Sequence, residues 1–275
     1  MLNFQIDLET CIGCGQCASV CPAMIITMDQ RTPSIPEDLE KYCIGCKHCV
    51  SICGEGSVSI LGTGPQSGVE TPELPPVGQE SLEILIKSRR SIRNYRAEKV
   101  PAATIEKLLE VASHVPSGHN DRALLFTVVE DPKKIDELRE EAIRGVEDLI
   151  KTKELPEGME MFVDIINAWK EGGKDILFRT APHLLVVSAP EECAAPLHDC
   201  IIALTTFELY AQSYGIGTIW NGLAALTITE LVPSMLDTLS IPEDHEVGYV
   251  MGFGYPAIRY KRTIDRGQPK INWIR

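Results

Sequence analysis

Cys11-Ile12-Gly13-Cys14-Gly15-Gln16-Cys17-Ala18-Ser19-Val20-Cys21-Pro22 is echoed by Cys43-Ile44-Gly45-Cys46-Lys47-His48-Cys49-Val50-Ser51-Ile52-Cys53. Both runs have the spacing C-x2-C-x2-C-x3-C. Eight of the ten cysteines therefore lie in the first 53 residues, and only Cys193 and Cys200 lie beyond. A disulfide framework belongs to exported chains, whereas the opening MLNFQIDLET has no basic segment followed by an apolar stretch. Metal is the better reading of the cysteines, and a cytoplasmic location is the expectation.

The spacing suits iron and inorganic sulfide. Three thiolates on a tight loop face three corners of one cube, while the fourth starts the next segment, points away and completes the other cube. One 4Fe-4S cluster is thus assigned to Cys11, Cys14, Cys17 and Cys53, and the other to Cys43, Cys46, Cys49 and Cys21. Gly13 and Gly45 let the backbone approach the sulfides. Two identical four-cysteine runs exceed the four ligands that structural zinc takes. The pattern resembles the two-cluster bacterial ferredoxins over about residues 1–61, with Gly54 standing where a proline often follows the second run. His48 reads as a solvent-side residue, with tuning of the cluster potential as its alternative. Such a module moves single electrons and names no substrate.

A chain of 275 residues leaves room for a second, larger domain. The stretch from Gly62 to Glu80 holds four glycines and four prolines and reads as an exposed connection. The expected domains are 1–61, a linker over 62–80, and 81–275. In the last, Ile105, Leu108, Leu109 and Ala112 recur at helical spacing. LLFTVVE at 124–130, HLLVVSA at 183–189 and EVGYVMGF at 246–253 read as strands, and helices are expected at about 132–150, 160–171 and 197–214. The 197–214 helix has apolar residues on more than one face, which fits a central or subunit-interface helix. The fold class is α+β, a small ferredoxin-like domain followed by a larger domain of mixed helices and strands.

Charge narrows the partners. The net charge of −13 disfavours nucleic acid and anionic lipid, and no apolar run approaches the ~20 residues that span a bilayer. Residues 87–99 and 258–275 nevertheless each carry six basic residues and one acid, leaving −23 on the rest. Two basic islands in an acidic chain suggest a local anion site, with a phosphorylated cofactor as the candidate and two solvated faces as the alternative. Gly252 to Ala257 satisfies G-x-G-x-x-A, but Pro256 opens no helix and only 18 residues follow, too few for a dinucleotide-binding unit.

Four ordered segments carry a second resemblance: Arg89-Arg90-Ser91-Ile92-Arg93, Pro116-Ser117-Gly118-His119-Asn120, Gly215 to Gly222, and Gly254-Tyr255-Pro256 followed by Lys261 and Arg262. Together they resemble the FMN-dependent nitroreductase family over about residues 81–265, which implies a nitroreductase-like α/β sandwich. The resemblance further implies that Arg89 and Ser91 bind the phosphate end of FMN and that Arg93 lies near the pyrimidine edge. There a cation would stabilise the negative charge gathered on reduction. Pro116 and Ser117 belong to the loop from which Asn120 would hydrogen-bond the flavin. The backbone of Trp220, Asn221 and Gly222 would pass near N5, and Lys261 and Arg262 would return to the phosphate.

Departures lie at Asp121-Arg122-Ala123, where Arg122 could add charge beside the ring. His119 is a candidate proton donor or a packing residue, Cys193 and Cys200 read as inert core thiols, and Trp169 and Trp273 as packing residues. Family members are homodimers, so a homodimer built on the 197–214 helix is implied. The joint reading is an oxidoreductase that passes electrons from the clusters to FMN and on to a small electron-poor acceptor such as a nitroaromatic or quinone, with ferredoxin or NAD(P)H as reductant. Reductive dehalogenation, flavin breakdown and non-catalytic electron carriage stay open, and no catalytic acid or base is assigned.

Overall fold

The computed structural model describes residues 2–69, 71 and 77–275. The chain divides into two compact units, Met1–Pro76 with His119–Asp121 and Val77–Gly118 with Arg122–Arg275.

In the first unit, strands β1 (Gln5–Ile6) and β4 (Val58–Ser59) pair antiparallel, as do β2 (Thr27–Asp29) and β3 (Thr32–Ser34). Two one-turn helices, α1 (Gln16–Ser19) and α2 (His48–Ser51), each carry the third cysteine of a run. A small core gathers Ile25, Ile26, Val58 and Ile60 around Cys17 and Cys49. Gly13 and Gly45 both adopt left-handed backbone, with φ of 65° and 63°, a conformation that costs a residue with a Cβ. At Gly13 a Cβ would also stand 2.6 Å from that of Arg31.

The second unit is built on an antiparallel sheet in the order β5 (Leu125–Val129), β6 (His183–Pro190), β8 (His245–Gly254), β7 (Gly217–Trp220). Side chains alternate across a strand. Leu184 and Val186 accordingly join Val250 in one core, while Leu185, Val187 and Ala189 join Met251 and Phe253 in another. Burial on both faces explains the unbroken apolar run at 183–189. The first core is closed by α5 (Pro132–Thr152) and α6 (Met161–Gly172), the second by α4 (Ala102–Ala112) and α7 (Pro196–Ser213). Each fully buried Leu or Phe contributes about 1.5–3 kcal/mol relative to exposure.

α5 opens on Asp131, whose side chain accepts from Lys133 N–H, with Pro132 at its first turn. α3 (Gln79–Ser88) begins two residues inside the stretch expected to be linker, because Gly78 and the acid of the first turn can start a helix that composition alone conceals. Residues 70 and 72–76 of that linker lie outside the described residues. Short α8 (Gly222–Leu226), a π turn over Thr227–Leu231 and α9 (Ser234–Thr238) complete the unit. Among the described residues no helix is long and apolar enough to cross a membrane.

Two packing expectations need correction. Trp169 packs against the first core beneath Arg139, but Trp273 is 70% exposed on the C-terminal tail. Cys200 is fully buried where α7 meets Gly248, and burial pushes its thiol up to about 12, whereas Cys193 is only half-buried.

His183, fully buried and stacked on Phe253, accepts a 2.9 Å hydrogen bond from Val100 N–H. Burial, with a smaller contribution from Lys99, holds its pKa down at about 4 from an ordinary 6.5. Below pH 6.5 the unfolded chain takes up a proton that the folded chain refuses until about pH 4, so stability falls through this window as pH drops. The loss reaches on the order of 3 kcal/mol. Urea denaturation of wild type and His183→Gln should show this slope in wild type only; equal slopes would refute the assignment.

Candidate functional site

The first unit holds two cysteine-lined cavities. One, of about 160 Å³, is lined by Cys11, Cys14, Cys17 and Cys53 together with Gly13, Gly15 and Val58. The other is lined by Cys21, Cys43, Cys46 and Cys49 with Ile25, Ile26 and Ile60. Each thus takes three cysteines from one run and the last cysteine of the other run. Among the described residues no three His, Cys, Asp or Glu side chains converge closely enough to hold a single metal ion. Four thiols around a void fit a polynuclear cluster better than one zinc ion.

Electrostatics agree with this fit. Burial raises the Cys17 thiol above its ordinary value and pushes Cys49 up to about 11. Burial thus favours the neutral thiols, and a cationic centre entering with them would favour the thiolates. Ser57 N–H donates to Cys53 Sγ at 3.2 Å, a bond that favours a charged sulfur. His48 is exposed and also lines the second cavity.

In the second unit, Ile92 N–H donates to Thr218 O at 2.8 Å and lays residues 89–93 along β7. Neighbouring side chains then part. Arg89 pairs with the buried Glu208 at 3.2 Å, while Arg90 enters a cleft of about 540 Å³ lined also by Ser88, Arg96, Gln212, Arg259 and Tyr260. Arg90 Nη1 donates to Lys87 O and Arg89 O, but its Nε and Nη2 are buried without a hydrogen-bond partner. Arg96 is held over the Tyr255 ring, its Nε donating to Pro256 O. Arg93 is exposed and reaches back to Ser91 O at 3.4 Å; Lys261 and Arg262 lie exposed on the tail. The residues that sequence reasoning missed are Arg90, Arg259 and Glu208. The basic islands pointed to the two arginines, whereas Glu208, one of two buried acids on α7, carried no local signal.

Other expected contacts are placed differently. Asn221 is 3% exposed and its polar groups serve the fold: the side chain donates to Leu177 O and caps α8 through Ala224 N–H, while its own N–H donates to Val250 O. It is a helix cap whose side chain and backbone N–H are engaged within the fold. Exposed Gly222 follows it, where a Cβ would stand 2.9 Å from Tyr249 Oη. Asn120 belongs to the first unit and donates to Ile44 O at 3.0 Å. His119, Asn120 and Arg122 all have positive φ, a conformation that costs about 1 kcal/mol or more each. Pro116 is exposed, Ser117 Oγ accepts from Arg122 N–H, and the Arg122 guanidinium donates to Ser113 O at 2.6 Å, tied to the end of α4. Both carboxylate oxygens of buried Asp199 accept from Gly118 N–H at 3.1 Å.

Residues 86–255 match the family model described as the nitroreductase family, and residues 3–54 match that of a 4Fe-4S dicluster domain. The chain belongs to the nitroreductase family. It is an oxidoreductase carrying an iron–sulfur dicluster domain ahead of the nitroreductase domain. Two similar solved structures are nitroreductases with bound FMN. That of Bacteroides fragilis NCTC 9343 is 25% identical with a TM-score of 0.57, and that of Desulfitobacterium hafniense DCB-2 is 25% identical with a TM-score of 0.56; each likeness covers 70% of this chain and 98% of the other. The iodotyrosine deiodinase of Nematostella vectensis is 27% identical over 177 residues, 62% of this chain and 66% of that protein.

The cleft fits the phosphate of such a flavin. Unpartnered guanidinium nitrogens are costly when buried, and a phosphate oxygen is the acceptor they lack.

Substitution of one ligand per cavity separates the two clusters. Cys14→Ser and Cys46→Ser should each lower iron from about eight to about four per chain in anaerobically prepared protein. Retention of all iron in either variant would contradict the cavity assignment.

Proposed function

We propose that this nitroreductase-family oxidoreductase draws single electrons from its two iron–sulfur clusters into FMN and uses them to reduce a small electron-poor organic acceptor, a nitroaromatic, a quinone or a similar compound. The single observation that carries the reading is the presence, in one chain, of two four-cysteine cavities and an arginine-lined cleft in which Arg90 Nε and Nη2 are buried without a hydrogen-bond partner. When bound, the flavin supplies conversion between one-electron and two-electron transfer, with the clusters as the one-electron side.

The chain's own residues supply binding and orientation. Arg89, Ser91 and Arg90 present cations and a hydroxyl to the phosphate end, Arg259 stands across the cleft, and Lys261 and Arg262 follow it on the tail. Arg93 would meet the pyrimidine edge, where a guanidinium favours negative charge. The backbone of Trp220 and Gly222 would face the ring side, where the Gly222 N–H could serve as a donor. Pro116 and Ser117 stand on the loop to which the family resemblance assigns a flavin contact, together with Asn120.

The reductant is NAD(P)H or a separate ferredoxin. The functional unit is a homodimer, supported by Leu197, Ile201 and Ile202, which α7 leaves exposed. Reductive dehalogenation is the second reading, favoured by the likeness to iodotyrosine deiodinase, and halide release separates it from nitro or quinone reduction.

Arg90→Ala removes charge-assisted bonds worth about 1.5–3 kcal/mol, so the Kd for FMN should rise about tenfold or more. Arg144→Ala, on an exposed turn of α5, should leave it unchanged. Fluorescence titration of the apoprotein measures both. Equal affinity in wild type and Arg90→Ala, or tightly bound zinc without sulfide in the purified protein, would refute the reading.

A further inference from the structure

Glu208 is a buried acid to which neither the fold nor the proposed reaction has yet given a role. It is 5% exposed on α7. Its Oε1 accepts from Arg89 Nη1 at 3.2 Å and from Thr218 Oγ1 at 2.9 Å, and its Oε2 accepts from Trp220 Nε1 at 3.0 Å.

Helical geometry explains how one side chain reaches all three. At about 100° per residue, the buried arc of α7 runs from Asp199 through Ala203, Phe207, Cys200, Ala211 and Leu204 to Glu208, half a turn away. Glu208 therefore stands at the edge of the helix–sheet contact, where β7 and the segment after α3 pass.

Chemistry explains why the residue is an acid. A guanidinium and an indole N–H only donate, so the group between them needs acceptors on both sides. A carboxylate has two such oxygens. A glutamine has one, and its amide would turn a donor either to Trp220 or to Arg89 and Thr218.

Charge adds a further consequence. Arg89 and Glu208 sum to zero, so Arg89 brings directed N–H groups without net charge, whereas Arg90 has no carboxylate partner among the described residues. A buried negative charge beside the ring side opposes the gain of electrons there.

We propose that Glu208 is a positioning residue of the flavin site: it aims Arg89, fixes the indole of Trp220, and cancels the Arg89 charge so that reduced flavin is held at a lower potential. The inference rests on the flavin reading above and names the residue that would tune it. Glu208 itself touches no ligand in this account.

The test uses the full-length, anaerobically prepared holoprotein of wild type, Glu208→Gln and Glu208→Asp. Two quantities are read: the flavin midpoint potential, and the ¹⁵N-labelled indole resonance of Trp220, assigned with Trp220→Phe. Glu208→Gln should raise the potential and move the resonance. Glu208→Asp keeps the charge but draws the carboxylate back by one methylene, so it should move the resonance and leave the potential near wild type.

An unchanged potential in Glu208→Gln with FMN bound would overturn the proposal, as would equal shifts in both variants. If Glu208→Gln does not fold, Glu208→Asp decides through the resonance, and an unmoved indole counts against the contact. A wild-type protein that refuses FMN sinks the flavin reading itself, and is recognised as such because the Trp220 resonance still reports on the contact with Glu208.

Discussion

A thiol below the protein surface gives up its proton more readily when something cationic shares its cavity, and this constraint organises the first unit. Eight cysteines are gathered in two sets of four, and the two most buried, Cys17 and Cys49, are driven toward the neutral form by desolvation. Without iron, each set would be a cavity walled by weakly polar groups around a small apolar core. With iron, the same burial becomes useful, because a low dielectric strengthens every bond between backbone N–H and sulfur.

The second unit, acidic as a whole, faces the opposite problem locally, since residues 87–99 and 258–275 concentrate positive charge. Arginines concentrated near one end of the sheet repel one another unless an anion joins them. The fold deals with them in different ways. Arg89 is neutralised internally by Glu208, Arg96 leans on an aromatic ring and a carbonyl, and Arg90 has two buried nitrogens without a hydrogen-bond partner. The sheet makes this division possible by fixing residues 89–93 along β7, so that adjacent arginines leave the backbone in different directions.

How much of this could be read in the sequence depended on distance along the chain. Cluster ligation is local, with three of four ligands inside seven residues, and the cysteine runs displayed it openly. The strand at 183–189 was legible because burial on both faces leaves an unbroken apolar run. Glu208 was not, because its partner Arg89 lies 119 residues away, and no local pattern announces such a pair. Asn221 carries a signal of another kind, since an asparagine directly before Gly-Leu-Ala-Ala-Leu is a helix-cap pattern in its own right, and its side chain caps α8. Trp273 and Cys193 were assigned to packing by residue type, yet residue type does not say where the chain ends its last turn or how deep a loop lies.

The account stands on electrons moving from sulfur-held iron into flavin within this protein. Rapid-mixing spectroscopy of anaerobic holoprotein, with the clusters reduced first by a donor that does not act on free FMN, follows both chromophores through one turnover. The account requires cluster reoxidation and flavin reduction to proceed together in wild type, and flavin reduction to vanish in the Cys14→Ser and Cys46→Ser double variant with FMN still bound. Flavin reduction at the wild-type rate in that variant would contradict it.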